Sequence, residues 1–361
     1  MGVALLAAPL PGRDLNEAAR IAAGESGGRF FLPELPGRGE EASPVARALG
    51  LLLDSGIAAE QGPRGWRLRA RPAPEQRRAR DMYLRDLDAC QEAIGENPGE
   101  AWARVLGPAT LAATIELPGG FPALTDRGAL GDLAGALGEA AGRLAGELSG
   151  RFGPGAGISF DEGLLPDATA GRIAGPDRFD PVRALHPEDA GALLRPLLRP
   201  ERRSLSFGAA APDWAAARHA GARRVELALE KVSGAAQLDG LGHALADGAE
   251  ALLVLPAGGE DQARTPRRRE SAGALWRGHA TERTPREHER DAPRGPAEPA
   301  SGRAAAERVA RLIDELALDP AAVVPRIDLA PAGPFGDLDG ARRALAAARD
   351  AAARLEDWAR S

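Results

Sequence analysis

Short apolar runs alternate along this chain with longer segments whose apolar residues recur at helical spacing. No other sequence feature constrains the fold as much, because strand and helix in repeated succession build a parallel sheet or barrel. Strands are expected at 3–10, 102–106, 158–160, 204–207, 225–229, 251–255 and 323–329. Helices are expected at 15–23, with Asp14 as N-cap, and at 44–53, 75–94, 110–117, 126–148, 214–220, 238–246, 303–318 and 338–358. Seven strands in parallel order fall one short of an α/β (β/α)8 TIM barrel, and Trp66-Arg67-Leu68 is the place for an eighth.

With 361 residues, 44% of them hydrophobic and 27% charged, the chain can bury a sizeable core. A net charge of -6 disfavours nucleic acid and anionic lipid as partners and leaves a small-molecule substrate as the expectation. Cys90 is the one cysteine, so the chain has no internal disulfide and no cysteine-cluster metal site of its own. Residues 1–9 are apolar but lack a basic leader, and they read as a buried strand of a cytoplasmic protein, a signal peptide cleaved after the small residues Ala7 and Ala8 being the alternative. No window reaches the roughly 18 apolar residues of a membrane helix.

One stretch breaks the alternation. Residues 258–302 hold little apolar periodicity, five prolines between Pro266 and Pro299, and the run Arg267-Arg268-Arg269. Such a composition cannot bury enough surface to offset chain entropy. It is expected to be a disordered insertion in a single barrel domain formed by 1–257 and 303–361. It reads either as a solvated loop or as a docking arm for an acidic partner.

In barrels the reacting groups stand at the C-terminal ends of strands. Asp161 and Glu162, just after 158–160, are the leading catalytic candidates, able to hold an amino group or act as a base, or else to cap a turn. Gly107, Pro108 and Thr110 follow the strand ending at Leu106, where a tight turn into a helix exposes backbone N–H groups to an anionic ligand. The proline-stiffened loop 32–39 offers Glu34 and Arg38, as substrate contacts or as a plain connector. The histidines His186, His219, His243, His279 and His288 form no compact ligand motif. Nucleophile-elbow, P-loop and dinucleotide fingerprints are absent.

The segments Phe31-Leu32-Pro33-Glu34-Leu35-Pro36-Gly37-Arg38-Gly39, Gly65-Trp66-Arg67-Leu68, Leu106-Gly107-Pro108-Ala109-Thr110-Leu111-Ala112 and Phe160-Asp161-Glu162 recur in this order in actinobacterial proteins like the cobalamin-independent methionine synthases. The chain thus resembles the C-terminal catalytic barrel of that family, within the uroporphyrinogen decarboxylase-like superfamily. The resemblance spans the chain apart from the insertion. It implies a barrel that transfers a methyl group from 5-methyltetrahydrofolate to the sulfur of homocysteine, in methionine biosynthesis. It also implies a zinc ion that holds this sulfur as the nucleophilic thiolate, since a free thiol of pKa ~8.5 is mostly protonated at neutral pH. Asp161 matches the family aspartate that holds the homocysteine amino group, with Gly163 in place of a proline.

Three of the four implied zinc ligands are missing. The His-x-Cys pair falls on Ser206-Phe207-Gly208, and the last cysteine falls in Leu329-Ala330-Pro331-Ala332-Gly333. Glu230 remains as a carboxylate ligand, with His186 or His243 as its possible companion. The Gly-Ser-x-Pro turn that grips the substrate carboxylate stands here as Ala8-Pro9-Leu10-Pro11-Gly12, without its serine. Alternatives to methyl transfer are therefore a barrel retained for binding or scaffolding, or a metal-free activity of the wider superfamily.

Overall fold

A computed structural model describes residues 2–26, 28–95, 99–176, 181–256 and 301–361. Among these, seven strands form one parallel sheet in the order β1 (Arg29–Phe31), β4 (Glu100–Leu106), β5 (Gly157–Asp161), β6 (Arg203–Ser206), β7 (Arg224–Ala228), β8 (Glu250–Leu255) and β9 (Ile327–Pro331). Helices fill the crossovers, notably α1 (Leu15–Gly24), α2 (Pro44–Leu52), α3 (Pro74–Ile94), α4 (Pro108–Thr114) and α5 (Arg127–Phe152). After them come α6 (Leu165–Thr169), α7 (Pro187–Leu198), α8 (Trp214–Ala220), α9 (Ala235–Ala246), α10 (Gly302–Glu315), the short α11 (Pro320–Val323) and α12 (Leu338–Arg360). Side chains supply the starts: Asp14, Asp126, Asp213, Ser301 and Asp337 each accept a backbone N–H in the first turn of the following helix. The main core lies between these helices and the outer face of the sheet, with Leu49, Leu111, Leu133, Phe152 and Phe160 all buried.

The sheet curls. Its first and last strands meet through an ion pair between Arg29 Nη1 and Asp328 Oδ2. Asp328 also accepts from Arg224 Nη2 of β7 at 2.5 Å and from the Val3 N–H at 2.8 Å. Residues 3–5 lie parallel to β9, bridging Ala4 to Leu329, with Leu5 N–H donating to Leu329 O at 3.0 Å and Leu329 N–H to Val3 O at 2.9 Å. A second cluster, inside the curl, joins Leu5, Ala7, Phe31, Trp102, Leu252 and Ala330. Side chains from the first and the last strands therefore fill one interior.

Three sequence expectations are revised. The run 3–10 forms no named strand and pairs with β9 only through the isolated bridge of Ala4 to Leu329, because it leaves the extended path at the turn before α1. Trp66-Arg67-Leu68 is a strand, β3 (Gly65–Leu68), but it pairs antiparallel with β2 (Ala59–Gly62) outside the main sheet. A two-residue turn at Pro63-Arg64 makes that hairpin the nearest partner available. The parallel strand not expected from the sequence is β1, three residues long and too short to show a period. The run 323–329 is also divided: Pro320–Val323 and Val324–Arg326 are helical turns, and the strand begins at Ile327. The expected insertion 258–302 lies outside the described residues except for Ser301 and Gly302, which cap and begin α10. No helix among the described residues is long and apolar enough to cross a membrane.

Candidate functional site

Parallel α/β sheets present their ligands at the carboxyl ends of the strands. There the ends of β4 and β5, the loop after β1 and helices α2 and α3 enclose a cavity of about 20 Å³ lined by Glu34, Arg47, Tyr83, Arg104 and Asp161. A second, smaller cavity shares Glu34 and Arg104 and adds Ala7, Ala8 and Phe31.

Its polar walls are ordered by ion pairs. Arg47 Nη1 contacts Glu34 Oε1 at 3.0 Å, and its guanidinium lies 4.9 Å from the Tyr83 ring centroid. Arg104 Nη2 contacts Glu226 Oε2 at 2.8 Å, Nη1 donates to Ala7 O, and the guanidinium lies 5.0 Å from the Phe31 ring centroid. Arg104 thus ties the N-terminal segment, β1, β4 and β7 together. Burial opposes its charge, but Glu226, Glu34 and Asp161 prevail and raise its pKa. Burial also pushes the Tyr83 phenol up to about 12, against the pull of Arg47.

The adjacent acids Asp161 and Glu162 point to different duties. Successive strand residues face opposite sides, so the two part at the end of β5. Glu162 is fully buried and accepts from Ala109 N–H at 3.0 Å, Thr110 N–H at 2.7 Å and Thr110 Oγ1 at 2.8 Å. Those donors open α4, so Glu162 caps that helix from a neighbouring strand. Burial nevertheless lifts its carboxyl to about 7, against these bonds. Gly107, Pro108 and Thr110 serve the same joint: a Cβ on Gly107 would stand 2.5 Å from the Glu162 side chain.

Asp161 faces the cavity. Its Oδ1 accepts from Gly163 N–H at 3.0 Å, and among the described residues it enters no ion pair. Burial raises its pKa, opposed by Arg104 and by the Gly163 N–H, and reinforced by Glu34 and Glu226. Glu34 lines both cavities, whereas Arg38 is taken up in an ion pair with Asp86 of α3 at 2.8 Å and lines neither.

Arg47, Tyr83, Arg104 and Glu226 were not singled out in the sequence. For Arg104 and Glu226 the signal exists, since each is a charge in the interior of a strand whose other interior residues are apolar, the strands' remaining charges, Glu100 and Arg224, standing at their first positions. Arg47 and Tyr83 sit in helices whose patterns carry no such mark.

The residues do not fit the zinc that the resemblance implies. Among the described residues no group of three or more His, Cys, Asp or Glu is placed to hold a metal ion. Glu230 lies in the short helical turn Leu229–Lys231 after β7. His186 caps α7 by accepting the Glu188 N–H, and His243 Nδ1 lies 2.7 Å from Asp239 O within α9. No protein-family model matches the chain, and no curated protein matches it.

Proposed function

We propose that the chain is a closed (β/α)8 barrel that binds a small, amine-bearing amino acid of the homocysteine class, with Asp161 accepting from its ammonium group. Residues 3–7 would be the strand that closes the barrel, between β9 and β1; their bridge to Leu329 and the shared cluster with Phe31 support this. The observation that carries the ligand assignment is the Asp161 carboxylate, half-buried at a strand end and, among the described residues, without an ion pair, on a cavity the size of one ammonium group or one water. Three carboxylates, Glu34, Asp161 and Glu226, face two guanidiniums, Arg47 and Arg104, so the ionised cluster carries one uncompensated negative charge. A cationic head-group neutralises it.

In the methionine synthase-like reading, the methyl group comes from 5-methyltetrahydrofolate and the acceptor is the homocysteine sulfur, in the cytoplasm. Without a donor set for zinc among the described residues, those residues would hold the amino acid but supply no means of keeping its thiol ionised. The reading supported best is therefore amino acid binding in a methionine synthase-like frame, with methyl transfer lost.

Calorimetric titration with homocysteine and with methionine tests it. Saturable binding by the wild type is expected, weakened about ten- to hundredfold by Asp161→Asn, the loss expected for one charge-assisted hydrogen bond. Affinity should fall as acid protonates Asp161, whose pKa is raised, while the ligand's own amine stays charged. Absence of saturable binding by the wild type overturns the proposal. Formation of methionine from 5-methyltetrahydrofolate and homocysteine would restore methyl transfer.

A further inference from the structure

Parallel barrels usually fill their interiors with branched apolar side chains. Inside this curl the neighbours of Trp102 and Arg104 on β5–β7 are instead small or polar. Gly157 pairs with Trp102, Ser159 with Arg104 and with Ser204, and Ser206 with Glu226. Gly157 leaves room for the indole, since a Cβ there would come within 2.4 Å of it. The Arg224 guanidinium covers the other part of the ring, 5.0 Å from its centroid.

Six polar atoms in this layer are buried without a partner among the protein's own atoms: Ser159 Oγ, Ser204 Oγ, Glu226 Oε1, Trp102 Nε1, Arg104 Nε and Arg224 Nε. They come from four adjacent strands, β4 to β7. The large majority of buried side-chain polar groups in folded proteins are satisfied, by protein or by ordered water, and six orphans gathered in one place call for a shared partner. The chemistry of the set selects the ligand. Two guanidiniums and an indole N–H repel a metal cation, the Glu226 carboxylate repels an anion, and an apolar molecule would satisfy none of the six. Water donates and accepts, and so meets the three N–H donors, the carboxylate oxygen and both hydroxyls.

We propose that the interior between β4 and β7 is a binding site for a cluster of internal waters, anchored by the Ser159 and Ser204 hydroxyls and by Glu226. This site shares Arg104 and Glu226 with the amine site but makes no use of Asp161. It lies between the Arg104–Glu226 pair and the Arg224–Asp328 pair, and joins them into one hydrogen-bonded column along the interior.

The test is water oxygen-17 magnetic relaxation dispersion on the full chain, which counts waters of long residence, for the wild type and for Ser159→Val with Ser204→Val. The two valines fill the space with methyl groups and remove both hydroxyl anchors. The wild type should show the larger dispersion amplitude, and its crystal structure should show ordered density within hydrogen-bonding distance of both serine hydroxyls. Equal amplitudes, or a dry interior with both hydroxyls turned to strand carbonyls, would overturn the proposal. Should the double variant fail to fold, the wild-type density between the two hydroxyls decides alone.

Discussion

Glu162 and Gly107 show how one side chain and one missing side chain make a joint. The carboxylate reaches α4 only because position 107 has no Cβ. Gly107→Ala should therefore destabilise the protein by about 1–3 kcal/mol, the usual cost of forced overpacking, measured by urea unfolding. The Glu162 carboxyl titrates at about 7 in the fold against an ordinary value of 4.5, so the folded chain holds the proton more tightly than the unfolded one. That contribution is complete below about 4.5 and is lost as pH rises through about 7. Unfolding free energies at about pH 5 and about pH 8 should accordingly fall less for Glu162→Gln than for the wild type. At this scale the sequence was half legible. The position of Asp161 and Glu162 after a strand pointed to the right end of the sheet. Their division into a cap and a cavity wall depended on which way the strand's last residues face, and on Arg104 and Glu226 arriving from other strands.

Helix starts were the most legible elements, because their cause is local. Asp126 accepts the Ala129 N–H at 2.9 Å and opens the 26-residue α5. Asp126→Ala should cost about 1 kcal/mol in thermal or urea unfolding, with helix content otherwise kept. Strands were less legible where pairing, not pattern, decides. β3 has a strand's composition and forms one, yet its partner is set by the turn at Pro63-Arg64. β1 is held by neighbours far along the chain, Glu100 to Trp102, and three residues carry too little periodicity to announce it. The helical turns at 320–326 were hidden in an apolar run because buried strand and buried helix look alike over so few residues.

For the whole molecule, Asp328 is the keystone of the curl, since Arg29, Arg224 and the Val3 N–H all converge on it. Asp328→Asn leaves the buried Arg224 without its deepest countercharge. Removing one partner of a buried pair costs about 3–5 kcal/mol, so the variant should unfold at markedly lower urea, checked by circular dichroism. The same pairing has a consequence in time. Val3 and Asp328 stand 325 positions apart in sequence. At ribosomal rates of about 5–20 residues per second, the segment around Val3 waits on the order of tens of seconds before its partner strand has been made. During that interval the apolar stretch from Val3 to Ala7 has no strand beside it on the β9 side. The pairing of this segment with β9 is therefore among the last contacts of the structure that can form during synthesis.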